Sequence, residues 1–112
     1  MGLIPSNPPD DALEVGRILD AWGVKGWVKI LPHSTDPEAL FSAKSWFLQV
    51  PDAKFRPGFT AFSGTVSLTV DEAKTHSGSV VAKIVGLDDR NAAEALHGAR
   101  IFLSRSSFPV AS

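Results

Sequence analysis

Residues 15–37, VGRILDAWGVKGWVKILPHSTDP, decide how the rest of the chain is read. Leu13 to Ala21 is rich in apolar and β-branched residues, and Trp27 to Leu31 repeats that character. Between them lie Gly23, Val24, Lys25 and Gly26. Two glycines this close reach positive φ at small steric cost, which a tight reversal between antiparallel strands requires. Asp36-Pro37-Glu38 then reads as a helix start, with Asp36 as N-cap and Pro37 at the first helical position. The stretch is a hairpin followed by a short helix. In its second strand Val28 and Ile30 share the face expected inside, while Lys29 reaches solvent.

Working outward, Glu38 to Phe41 suits one or two helical turns, with Leu40 and Phe41 as a lid over apolar surface. Ser45 to Val50, SWFLQV, is a third strand, ended by Pro51-Asp52. Phe59 to Val70 reads as one long extended segment, in which Val66, Leu68 and Val70 alternate with Thr65, Ser67 and Thr69. That is the period of a half-exposed antiparallel strand, and Gly64 marks a bulge or bend within it. Asp71 to Ser77 is polar and reads as a loop. Ser79 to Leu87 resumes the strand pattern. Asp88 or Asp89 can cap a helix over Asn91 to His97, with Ala92, Ala93, Ala95 and Leu96 as its apolar side and Gly98 as its stop. Arg100 to Ser104 is a last strand. Six short strands separated by turns, with two short helices, argue for a closed antiparallel barrel, since few residues remain to cover a second sheet.

The 112 residues suit one domain, and an apolar fraction of 44% fits a globular chain. No apolar run approaches the ~20 residues of a membrane-spanning helix. The opening MGLIPSNPPDDAL lacks the charged and apolar regions of a signal peptide. Met1-Gly2 with Ser6 matches the bare myristoylation pattern, but Pro5, Pro8 and Pro9 favour an ordinary loose terminus through residue 11. Cysteine is absent, which excludes disulfides and thiolate metal sites and is compatible with a cytoplasmic location. Eleven basic and twelve acidic residues leave a net charge of −1. A small domain that grips nucleic acid by itself is usually basic, so only a local patch fits that chemistry.

Catalysis has no positive support in the residues. Gly23-Val24-Lys25-Gly26 has the form of a KH-domain GxxG loop, but that loop joins two helices, whereas these glycines join two extended segments. A phosphate-binding P-loop needs a longer glycine frame. His33, His76 and His97 lack metal-ligand spacing, and no cofactor or metal is expected. Helix capping accounts for the paired carboxylates Asp88 and Asp89. A flavin-dependent barrel reductase is the weakest reading. Trp46 fits core packing, whereas Trp22 and Trp27 flank the turn and sit near Lys25 and Lys29, where they can stack on bases or anchor a partner. Lys54 and Arg56 form a further basic pair.

Two blocks together carry a family resemblance. VGRILDAWGVKGWVKILPHSTDPEALF resembles the opening of the ribosome maturation factor RimM family, close to GxHGxxGEV-R/K-V followed by T/S-D-x-P-E. GLDDRNAAEALHGARIFLSRSSFP resembles the same family's GxDDRxAAEALRGxxIxVxRxxLP, in matching order and separation. Gly23, Gly26, Lys29, Asp36, Asp88, Asp89, Arg90, Ala93, Glu94, Leu96 and Gly98 match. Among the departures, the family's usual histidine is Trp22 here, and its usual glutamate is Trp27.

The resemblance implies a six-stranded antiparallel β-barrel similar to the second domain of translation elongation factors. It implies a barrel domain over residues 12–105, with 106–112 opening a linker to a second, PRC-type barrel beyond this chain. It also implies a non-enzymatic factor that binds the free small ribosomal subunit, through ribosomal protein S-nineteen and ribosomal RNA of the subunit head. Such a factor assists late assembly and ribosomal RNA processing, with no small-molecule substrate and no membrane. The contact candidates on this chain are Trp22, Gly23, Lys25, Gly26, Trp27 and Lys29, with Arg90 added from the second block. The alternative expectation is a protein-interaction or spacer barrel with no RNA contact of its own.

Overall fold

Alternation along the strands sets the architecture. In β3 (Trp27–Pro32), Val28 and Ile30 are fully buried while Trp27 and Lys29 keep part of their surface. A computed structural model describes residues 3–8, 10–23, 25–33, 38–52, 54 and 58–104. β3 pairs antiparallel with β2 (Leu13–Trp22), from Gly16 opposite Pro32 to Trp22 opposite Trp27. A bulge between Ile18 and Asp20 bends β2 midway.

The other barrel strands are β4 (Ser45–Gln49), β5 (Thr65–His76), β6 (Ser79–Ile84) and β7 (Arg100–Leu103). They pair antiparallel in the order β5–β4–β7–β2–β3–β6, and β6 pairs back onto β5. Six strands thus close into a barrel, as the strand count predicts, and closure removes the open edges of the sheet. A two-residue strand, β1 (Ile4–Pro5), adds to β5 outside the ring, ahead of the point where the sequence reading began the folded domain. There Ser6 Oγ lies 2.9 Å from Ser67 Oγ.

Inward-facing residues from every barrel strand fill the interior, among them Ile18, Ile30, Trp46, Leu68, Ile84 and Ile101. Burial of side chains of this size is worth about 1.5–3 kcal/mol each, which makes this layer the main source of stability. Short helices plug the flanks. α1 (Glu38–Ser42) buries Leu40. Phe41, expected to share the lid, is 39% exposed, because a five-residue helix turns only part of its surface to the barrel. The cap expected from Asp36 and Pro37 lies outside the described residues.

α2 (Arg90–Ala95) begins one residue before the expected span and ends two before it. Asp89 is its N-cap, its carboxylate accepting from the Ala92 N–H at 2.7 Å. Ala93 and Leu96 face the core, whereas Ala92 is exposed. Beyond the helix, the Gly98 N–H donates to the Ile18 carbonyl at 2.8 Å, and the Ile18 N–H to Ala99 at 2.9 Å. These bonds fasten the α2–β7 connection to the middle of β2.

β5 departs from the sequence expectation at both ends. Residues 59–64 precede the strand, and Phe59 and Phe62 form an edge-to-face pair with centroids 5.1 Å apart against the core. Asp71 to His76, expected as a loop, is the strand's second half, running from Glu72 opposite Lys83 to His76 opposite Ser79. Both faces of this arm are largely exposed, so no apolar alternation betrays it. Its turn is two residues long, Ser77 at φ +51° and Gly78 at φ +81°, the primed geometry that matches strand twist.

Candidate functional site

The seven candidate contact residues lie in and around one end of the β2–β3 hairpin. Trp22 and Trp27 are directly paired across it, with centroids 5.5 Å apart and planes 68° from parallel. Between them Gly23 and Gly26 hold φ of +74° and +88°, and Lys25 is exposed at the turn. Lys29 lies two residues beyond Trp27 on the same outer face, opposite Asp20 on β2 and Val81 on β6.

The two sequence blocks that carry the resemblance meet at this turn. The Arg90 guanidinium donates to the Gly23 carbonyl at 3.3 Å and to Glu94 Oε1 at 2.8 Å. Gly26 packs so closely on the Leu87–Asp88 backbone that an added Cβ would lie 2.0 Å from the Leu87 oxygen. Lys83 Nζ donates to that same Leu87 carbonyl and lies 3.4 Å from Asp88 Oδ1. Asp88 is almost wholly exposed, so its ion pair with Lys83 adds little; the carbonyl contact ties β6 to the segment before α2. Arg90 therefore works as a brace of the turn, half-engaged in holding its backbone.

Sequence reasoning missed two residues here, Lys74 and His76, because it assigned their segment to a loop. Closure of β5 onto β6 brings them across the barrel surface to the tryptophans. The His76 ring stands edge-on to Trp22 at 4.9 Å. Lys74 Nζ lies 5.0 Å from the Trp27 centroid and 5.7 Å from that of Trp22. Contacts of this kind are worth about 0.5–1 kcal/mol at exposed sites. The signal that could have located them is the Ser77-Gly78 pair, a two-residue turn before an unmistakable strand.

The remaining candidates stand apart. Trp46 is fully buried in the core. Lys54 is exposed in the loop after β4, and Arg56 lies outside the described residues. His33 Nε2 pairs with Glu14 Oε2 at 2.5 Å, far along the hairpin from the turn. Among the described residues no cluster of three or more histidine or acidic side chains is placed to hold a metal ion, and no helix is long and apolar enough to cross a membrane.

The chain is 86% identical over 111 residues to a ribosome maturation factor RimM of Polaromonas sp. strain JS666, covering 99% of this chain and 55% of that protein. It thus spans about half the length of the curated relatives it matches. A crystal structure of a 16S ribosomal RNA processing protein RimM from Pseudomonas aeruginosa superposes with a TM-score of 0.70 at 25% identity, over 88% of this chain and 54% of that one. The solution structure of the N-terminal domain of RimM from Thermus thermophilus shares the fold, with a TM-score of 0.60 at 18% identity over 88% and 95% of the two chains. A family model described as the RimM N-terminal domain matches residues 13–108, which takes in the whole barrel from β2 to β7 and all but the last residue of the two blocks that meet at the turn, and the chain belongs to that family.

Proposed function

We propose that this chain is the first barrel of a ribosome maturation factor, and that its β2–β3 turn docks on the free small ribosomal subunit. Family membership carries this reading, supported by relatives named as ribosome maturation factors and a structural neighbour named for 16S ribosomal RNA processing. The mechanism needs no catalysis. A protein that binds one conformation of a partly assembled particle raises the population of that conformation in proportion to its differential affinity. The factor would act in the cytoplasm, with ribosomal protein S-nineteen and head RNA as partners and a second, PRC-type barrel sharing the contact.

Lys25 and Lys29 supply the positive charge for phosphate, and Trp22 and Trp27 the apolar area. Arg90, Gly23 and Gly26 set the shape of the turn that presents them. Co-sedimentation of the chain with free small subunits across a salt series tests the reading. Binding that weakens as salt rises, and is lost with Lys25→Glu and Lys29→Glu together, is the expected result. Salt-insensitive binding unchanged by that double substitution would make this barrel a protein-interaction or spacer module instead.

A further inference from the structure

We propose that the Trp22–Trp27 pair, with Lys74 beside it, is a stacking site for the unpaired bases of single-stranded RNA. This deepens the ribosome-directed reading, on which it rests, by naming the ligand chemistry of the turn.

Three observations carry it. First, both indoles lie outside the barrel's interior cluster and keep part of their surface, so the core does not account for them. Second, the rings are held in advance. Trp22 makes edge contacts with both Trp27 and His76, at 5.5 and 4.9 Å. Val81, opposite Lys29 and Lys74 in the register, is 0% exposed yet outside the interior cluster, so outer-face side chains pack over it. Rings already fixed lose little freedom when a base stacks on them.

Third, the charge around the rings favours a strand with both bases and phosphates. Lys74 touches both ring systems, and Lys25 and Lys29 flank them. Asp20 and Glu72 stand opposite Lys29 and Lys83, so the patch is only weakly positive. Phosphate attraction alone holds a strand poorly on such a surface, and aromatic stacking, which accepts any base, supplies the missing affinity. A protein partner is the less favoured occupant, because a binding hot spot sits in a wide desolvated surround. Here, apart from Val81, the outer-face neighbours in the register are Asp20, Lys29, Glu72, Lys74 and Lys83, all charged.

The test titrates the chain with an eight-residue single-stranded oligoadenylate and, separately, with inorganic polyphosphate of matching charge. Trp46 is sealed in the core and gives a constant emission background, so a change in tryptophan fluorescence reports Trp22 and Trp27. Saturable quenching by oligoadenylate and none by polyphosphate is expected. Trp22→His with Trp27→Glu should weaken binding of a labelled oligoadenylate by about tenfold or more, read by anisotropy. A melting curve checks that this variant folds; if it does not, Lys74→Glu, which keeps both indoles, should weaken binding several-fold. Absent quenching, equal quenching by polyphosphate, or unchanged binding by a folded variant overturns the stacking site. If the tryptophan variant loses co-sedimentation with small subunits while the original chain ignores oligoadenylate, the rings contact protein. The stacking proposal then fails and the ribosome reading stands. Oligoadenylate binding through the rings without subunit binding upholds the stacking site and overturns the ribosome reading.

Discussion

At the scale of single residues, the two turn glycines differ sharply in what they tolerate. Both need positive φ, which costs an ordinary residue about 1–2 kcal/mol. At Gly23 nothing lies within 4 Å of an added Cβ, so Gly23→Ala should lose about that amount and no more. At Gly26 the Cβ would meet the Leu87 oxygen at 2.0 Å and its carbon at 2.5 Å, both backbone atoms. Gly26→Ala must therefore push the turn off the Leu87–Asp88 segment. Thermal unfolding of the two variants should show Gly26→Ala melting well below Gly23→Ala, since a domain of this size moves about 4–8 °C per kcal/mol. Equal melting points would mean that the turn is not seated as described. Trp46 offers a second contrast. Its ring is fully buried, but its Nε1 has no hydrogen-bond partner among the described residues. An unpaired buried donor costs about 1–3 kcal/mol, so Trp46→Phe removes a penalty while it loses volume. Urea unfolding should place Trp46→Phe within about 1.5 kcal/mol of the original chain, and Trp46→Ala about 3–5 kcal/mol below it.

At the scale of elements, the β5–β6 hairpin shows where local pattern stops informing. Alternation is visible in sequence only where one face is buried, as at Val66 and Leu68 or Val28 and Ile30, and those strands were legible. The Asp71–His76 arm has no buried face to imprint a period, and only register with β6 reveals it as a strand. The same blindness hid Lys74 and His76 from the candidate site, since their nearness to Trp22 comes from ring closure and from no local spacing. The β2–β3 turn was legible because positive φ at Gly23 and Gly26 demands a residue type, and Asp89 because a cap demands one too. Ser77 breaks that correspondence: it holds φ +51° without being glycine. Asparagine adopts that conformation more readily, and Asn-Gly is the preferred pair for such a turn. Ser77→Asn should therefore stabilise the chain by a few tenths to about 1 kcal/mol, read as a raised urea midpoint with an unchanged slope. A lowered midpoint would show that the serine hydroxyl contributes something at the turn that asparagine cannot.

At the scale of the whole molecule, closure makes the strands unequal. β7 has a neighbour on each side: Leu13 to Arg17 of β2 against Leu103 to Arg100, and Phe47 to Gln49 of β4 against Phe102 to Arg100. It also carries Ile101 and Leu103, both fully buried, so it links the ring and fills part of the interior at once. Removing it would open two edges and expose the core along the seam, and unpaired strand edges over exposed apolar surface invite association between chains. β1 is the reverse case. Among the described strands it pairs with β5 alone, its Ile4 is 60% exposed, and the ring is complete without it. Deleting residues 1–6 should leave one cooperative unfolding transition with its midpoint lowered by a few degrees, the loss of two backbone pairings and the Ser6–Ser67 contact. Ending the chain after Ala99 should abolish cooperative unfolding and the near-ultraviolet tryptophan signal, because Trp46 on β4 would lose its packed surroundings. A truncated chain that kept that signal would show that β4 and β2 can pair directly, and that the seam closed by β7 is dispensable to the fold that presents the turn.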